Sequence, residues 1–414
     1  MNWRVHFTLA ATALVLACPT QAVTVFEGDT THVIDYTLTD SALVSYSRVH
    51  VRRGGQIVGV NDGTPSSRGA VTFGWAGAVP SSPILPTSRS TLEMSGNARV
   101  SGDDNQRGVW FQTDADIRMR DDATITGGQM LRPDGTSFLS GISMDRGSSY
   151  LEDNAAHRLY MDGRATVNGQ VFMDGFVRMT GNSVINGNFG SGSLGLEMYG
   201  GTINGQLALG SLGYHTVLLD GGSILGGLGH NGPGGPMPPS LVHLDMRSGF
   251  IGTRINTRGS LDADIRGGTI EGGIRIDTSD WGYGASHLLF SGGSLNTSSD
   301  GWLLDLFYAE DPFGTLISTL DIWGGQFGHT EAGQGFRLDG WYDFNIYGWD
   351  WTYSNNRLSG YLSDGNRIDV GLTFGPNWRG LFTMHDVGVP EPGPLLLFVF
   401  GITALGLRRK LVSH

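Results

Sequence analysis

The sequence predicts an all-β chain wound into a right-handed parallel β-helix, a β-solenoid, with a single short transmembrane helix at its C-terminus. Three observations lead there: a glycine-closed apolar unit recurring at roughly 17 to 25 residues, 66 glycines in 414 residues, and a short apolar run ahead of a cationic tail. Alternation such as Leu196, Glu197, Met198, Tyr199 gives a strand with one buried face, because side chains change sides with a period of two. Glycine at the end of each unit supplies the positive φ of a sharp bend. One unit buries too little apolar surface alone, so copies must stack and share a core. A propeller blade needs about 40 residues, twice this period, and a sandwich does not repeat one motif along its length.

Residues 1–22 read as a secretory signal peptide that engages the Sec translocon. Arg4 precedes the apolar run Phe7 to Ala17, and Thr20, Gln21 and Ala22 offer a small-residue site with cleavage after Ala22. The single cysteine, Cys18, follows Val15, Leu16 and Ala17, which loosely resembles the lipobox of bacterial lipoproteins, whose cysteine is acylated. Cleavage after Ala22 leaves no cysteine, hence no disulfide and no thiolate metal site.

Residues 23–90 are less regular and are expected to hold an N-terminal cap and the first coils, with a small loop at Pro80 to Pro86. Residues 91–300 carry the repeat: Leu92 and Met94 closed by Gly96, Leu159 and Met161 by Gly163, Val177 and Met179 by Gly181, Leu196 and Met198 by Gly200, Val217 and Leu219 by Gly221. Met94, Met119, Met144, Met161, Met179, Met198 and Leu219 read as successive central residues. Methionine at alternating spacing reads as flexible core filler rather than a metal or redox device. Asp162, Asp220 and Asp245 follow the apolar triplets and are expected to cap turns; a calcium ladder is the rival reading, without a calcium nonapeptide to support it. Gly229 to Pro239, with His230, is expected to protrude as a loop.

Residues 301–379 are crowded with Trp302, Phe307, Trp323, Trp341, Tyr342, Trp349 and Trp351 and should close the solenoid, with two short strands around an Asp364–Gly365 turn. Residues 380–388 read as a linker to the segment 389–414. Charged residues make up 16% of the chain, the formal net charge is −12, and Lys410 is the only lysine. Nucleic acid is therefore excluded as a partner, since phosphate contacts need clustered cations.

The tail is the most specific motif. Val389, Pro390, Glu391 and Pro392 precede the apolar segment 394–407, and Arg408, Arg409 and Lys410 follow it. The cations belong on the cytoplasmic side, which leaves the body outside the inner membrane; the apolar run is shorter than the roughly 20 residues of a full span. This arrangement resembles the PEP-CTERM sorting signal, which membrane proteases of the exosortase family process in Gram-negative bacteria that secrete exopolysaccharide. The resemblance covers about the last 25 residues. It implies an exosortase-type partner, a transient membrane anchor, and delivery to the cell surface or matrix; the β-helix body, predicted by the repeat and not by the tail, resembles that of autotransporters.

Two alternatives concern polysaccharide. Gln112–Thr113–Asp114, Asp121–Asp122, Gly229–His230–Asn231 and Arg275–Ile276–Asp277 resemble fragments of the polygalacturonase site, with Asp103 and Asp104 as further carboxylates. Glutamine replaces the family's asparagine, asparagine its second glycine, and Asp277 the lysine that would hold a substrate carboxylate. Glycoside hydrolysis needs two carboxyls about 5–9 Å apart, so a shared cleft is the test. Sugar binding without cleavage is the other alternative, on a platform of Trp349 and Trp351 or Trp341 and Tyr342. The favoured expectation is a non-enzymatic structural or adhesive protein of the surface or biofilm matrix, with no catalytic residues, no metal and no cofactor.

Overall fold

The computed structural model describes residues 23–61, 69–74, 89–131, 136–144, 157–192, 194–210, 214–230, 241–277, 285–307, 318–328, 330 and 334–389. The expected signal peptide with Ala22 and Cys18, most of the loops at 80–86 and 229–239, and the tail with Pro390, Glu391, Pro392, segment 394–407, Arg408 and Arg409 lie outside the described residues. Among the described residues the chain is all-β, and no helix is long and apolar enough to cross a membrane.

Each coil has three strand positions, and every position stacks in parallel on its counterpart in the next coil. The first ladder holds fourteen strands, from Val23–Glu27 through Arg107–Phe111 and Gln170–Phe172 to Arg367–Phe374. The second, also of fourteen, runs from Thr31–Ile34 to Phe382–Asp386. The third begins at Thr37–Leu38 and is carried in later coils by the far halves of long strands such as Tyr214–Ile224 and Leu241–Ile251. Among the described residues the ladder strands begin with Val23–Glu27, which pairs parallel with Ser41–Ser45.

The core is a set of columns. In the second ladder Met94, Met119, Met161, Met179, Met198 and Leu219 stand in register and are all but inaccessible. At about 1.5–3 kcal/mol for each fully buried side chain of this size, the columns outweigh any single surface contact. One expected member is misplaced. Met144 lies in strand Ser137–Met144, pairs with Phe111 and so belongs to the first ladder, while the true neighbour of Met119 is Met161. The coil between them is longer because Gln129–Leu131 folds back as an antiparallel hairpin on Ser137–Met144 and because twelve residues separate Met144 from His157.

Glycine is demanded by close approach as much as by turns. A Cβ on Gly187 would lie 2.5 Å from the Gly169 carbonyl oxygen, and one on Gly205 would lie 2.4 Å from that of Gly187. Just before these glycines, Asn168, Asn186 and Asn204 form a column in which the Asn186 amide donates to Asn168 at 2.8 Å and Asn204 donates to Asn186.

The last coils differ from the expected linker. Phe382–Asp386, inside 380–388, is a full rung hydrogen-bonded parallel to Tyr342–Ser354. The two strands around Gly365 are Arg357–Leu362 and Arg367–Phe374, an antiparallel pair that also joins Tyr342–Ser354 and closes this end.

Candidate functional site

The carboxylates that the enzyme alternative needs in one cleft occupy three different corners of one coil. Asp103 and Asp104 follow the third-ladder strand Arg99–Ser101, Asp114 follows the first-ladder strand Arg107–Phe111, and Asp121 and Asp122 follow the second-ladder strand Ala115–Met119; all five are exposed. Their roles are local. Asp121 accepts the Gly96 N–H at 2.9 Å, Asp122 holds both donors of Arg164 at 2.6 and 2.7 Å, and Asp103 accepts the Asp104 N–H. The Arg164 hydrogen bond keeps the Asp122 carboxyl below the usual range. His230 is not in a loop. It ends strand Leu228–His230, inside the solenoid, paired between Leu209 and Thr257 and 1% exposed. The coil of Asp121 and that of His230 are separate rungs of the stack.

The aspartates after the triplets split into two kinds. Asp162 caps its turn, accepting the Gly163 N–H at 2.7 Å and the Thr180 hydroxyl at 2.8 Å. Asp245 does not cap a turn: it points outward from strand Leu241–Ile251 and pairs with Arg247 and Arg266.

Of the expected aromatic platform, Tyr342 is fully buried and Trp341 and Trp351 pack against the core. Trp349 stacks on Tyr361. The sequence reading missed an outward column in the last coils: Trp323 stacks on Tyr347 at 3.7 Å between centroids, and Tyr347 on His385 at 4.3 Å.

The corner between the first and second ladders carries the variable connections. Two residues separate Phe172 from Gly175 there and sixteen separate Phe73 from Ser90, whereas four residues join Met94 to Arg99, Met119 to Thr124, Met161 to Thr166 and Met179 to Val184 at the next corner. Beneath this edge the interior turns polar. His157 is 1% exposed, stacks on Phe111 at 4.4 Å, and neither ring nitrogen has a hydrogen-bond partner among the described residues. His215 donates from Nε2 to the Gly210 carbonyl oxygen at 3.1 Å, its Nδ1 has no hydrogen-bond partner among the described residues, and its ring meets His230 edge-on at 5.7 Å. Asp174 accepts the Ser191 hydroxyl at 3.2 Å and the Gly192 N–H. Burial holds all three imidazoles below their ordinary value, so each is neutral at pH 7.

On the outside of the second ladder the register builds a groove. Arg118 lies beside Tyr160, and Tyr160 beside Arg178, on strands Ala115–Met119, His157–Met161 and Gly175–Met179. One step beyond the inward methionines, Arg120, Asp162 and Thr180 form a second row, tied by Asp162 N–H to Met119 O and Thr180 N–H to Met161 O. Together they line a shallow concavity of about 300 Å3. Arg178 pairs with Glu197 at 2.6 Å, while Arg118 reaches Glu93 and Asp116 only at 3.8 and 3.7 Å. Arg118 sits 5.8 Å from the Tyr160 ring centroid, and Phe176 packs against that ring at 5.9 Å. The Thr180 hydroxyl, then the Gly163 N–H, hold the Asp162 carboxyl below its usual range, with the Arg120 charge adding to the effect. Arg120 is exposed and makes no ion pair among the described residues.

No signal in the sequence marks this groove, because Arg118 and Tyr160 become neighbours only once the long hairpin coil between them is recognised. Among known proteins, no family model, no curated protein and no solved structure matches this chain.

Proposed function

We propose that this chain is an exported structural or adhesive protein of the bacterial surface or extracellular matrix, associated with exopolysaccharide and sorted by a PEP-CTERM tail. The stack itself is the observation that supports the reading. Fourteen rungs separated by about 4.8 Å make a stack roughly 62 Å long from first to last, held by continuous apolar columns and carrying its longest connections on one edge. Such a body suits spanning and presenting more than turning over a substrate. On this reading the coil is right-handed, as parallel crossovers are, and the corner aspartates are turn residues without catalytic roles. Segment 394–407 anchors the chain in the inner membrane until an exosortase-type protease cuts near Pro390 to Pro392.

Intact-mass spectrometry of the extracellular protein from an exosortase-bearing host tests this directly. The expected mature chain begins at Val23 and ends between Val389 and Pro392. An extracellular chain that still contains Leu395 to Arg409 overturns the sorting reading, as does a chain whose release is unchanged by Glu391→Ala together with Pro390→Ala.

A further inference from the structure

We infer that the groove of Arg118, Arg120, Tyr160, Asp162, Arg178 and Thr180 is a binding site for a carboxylated saccharide, a chain of uronate-type rings. The inference rests on the matrix reading, which makes saccharide chains the neighbours of this surface. The chemistry of the lining selects the ligand class. Three guanidinium groups border one concavity in a chain whose net charge is −12, and a guanidinium fork matches a planar carboxylate with two parallel hydrogen bonds. Asp162, kept ionised by Thr180 and Gly163, accepts hydroxyl donors. Tyr160, held on one side by Phe176, adds an amphipathic ring that contacts the apolar face of a pyranose and donates through its hydroxyl. A carboxylate, hydroxyls and an apolar ring face occur together in a uronate.

Two other ligand classes fit less well. A neutral glycan offers the three guanidinium groups of the groove no carboxylate to hold with paired hydrogen bonds. A polyphosphate offers no apolar ring face to Tyr160 and no hydroxyl donors to Asp162, so half of the lining finds no partner in it. Because rungs repeat at about 4.8 Å, a saccharide lying along the stack meets Arg118, Tyr160 and Arg178 in turn.

Calorimetric titration of the full chain with tetramers of galacturonate, glucuronate and mannuronate at low salt tests the site. At least one uronate tetramer should saturate, and its carboxyl-reduced counterpart should bind at least about tenfold more weakly, the share of one charge-assisted hydrogen bond. Arg120→Ala, which breaks no ion pair, should weaken binding by about tenfold with the thermal midpoint unchanged, and Tyr160→Ala by a similar factor with the fold retained by circular dichroism. The site is overturned if no uronate binds, if the reduced tetramer binds equally, if Arg120→Ala and Tyr160→Ala bind as the parent does, or if a single-stranded oligonucleotide competes as well as the uronate. Titration reads the groove and mass spectrometry reads the tail, so either result stands when the other fails.

Discussion

Lowering the pH from 7 to 5 should loosen the rungs around His157, because the unfolded chain there takes up a proton that the folded chain refuses. Burial pushes the His157 imidazole from 6.5 down to about 4, the Asp174 carboxylate opposing the fall and the Arg89 guanidinium adding to it. Folded stability is therefore complete above the unfolded value of 6.5 and declines as pH drops through the window toward 4, below which both states are protonated. At roughly 1.4 kcal/mol per pH unit, the part of that window above pH 5 removes about 2 kcal/mol through His157 alone. His230 is held at about 4 by burial first and by the neighbouring His215 second, with Gly210 opposing, so it adds a loss of the same sign. Burial raises the Asp305 carboxyl, which contributes with the opposite sign but equally in parent and variant, so the difference between the two proteins is what reads His157.

The variant that isolates the effect is His157→Leu. Ala115 is the register partner of His157, and Leu194 opens the matching column two rungs on, so an aliphatic side chain suits the position. Removing two buried ring nitrogens that have no partner among the described residues should leave stability at pH 7 equal or higher. Urea unfolding followed by tryptophan fluorescence, with hydrogen exchange of the peptide spanning His157–Met161 as a local readout, should show the parent losing about 2 kcal/mol more than the variant between pH 7 and pH 5. An identical pH dependence in the two proteins refutes the assignment.

Two further substitutions probe the columns. Met179, fully buried, should tolerate leucine at a loss below about 1.5 kcal/mol but lose about 2–5 kcal/mol as alanine in urea unfolding; equal damage from both would mean that the thioether does more than fill space. Gly187→Ala should destabilise by about 3 kcal/mol or more, since the Gly169 carbonyl cannot retreat from a Cβ at 2.5 Å, whereas Gly96→Ala, with nothing nearer than 3.8 Å and a φ of +65°, should lose only about 1–2 kcal/mol; equal thermal shifts would contradict the close-approach account.

The strand faces were legible because an inward column imposes period two on every rung, and Leu159, Met161, Val177, Met179, Leu196 and Met198 all obey it. Register was not legible, because the same alternation serves all three ladders. Ile142 and Met144 look like one more copy of Val177 and Met179, yet they pair with Val109 and Phe111 in a different ladder. His230 was misread for a related reason. Its glycine-rich neighbourhood signals a loop, but Leu228–His230 is held on both sides by Leu207–Leu209 and Ile255–Thr257, which lie far away in sequence. The rung Phe382–Asp386 escaped notice because its exposed and half-buried residues show little alternation; its place is set by Tyr342–Ser354 rather than by its own pattern.

The groove was hidden for the opposite reason from the one that made the core visible. Inward positions are apolar in most coils, since a polar column member sits among neighbours that solvate it poorly, as the partnerless nitrogens of His157 illustrate. That constraint writes the repeat into the sequence. Outward positions carry no such demand: the column through Arg118 and Tyr160 passes Glu93 on one side and Arg178 and Glu197 on the other without affecting how the rungs stack. A solenoid can therefore change its surface chemistry from rung to rung while its period stays intact. The features that reveal the fold are for that reason nearly silent about binding. The groove becomes readable only when register places residues from three coils side by side.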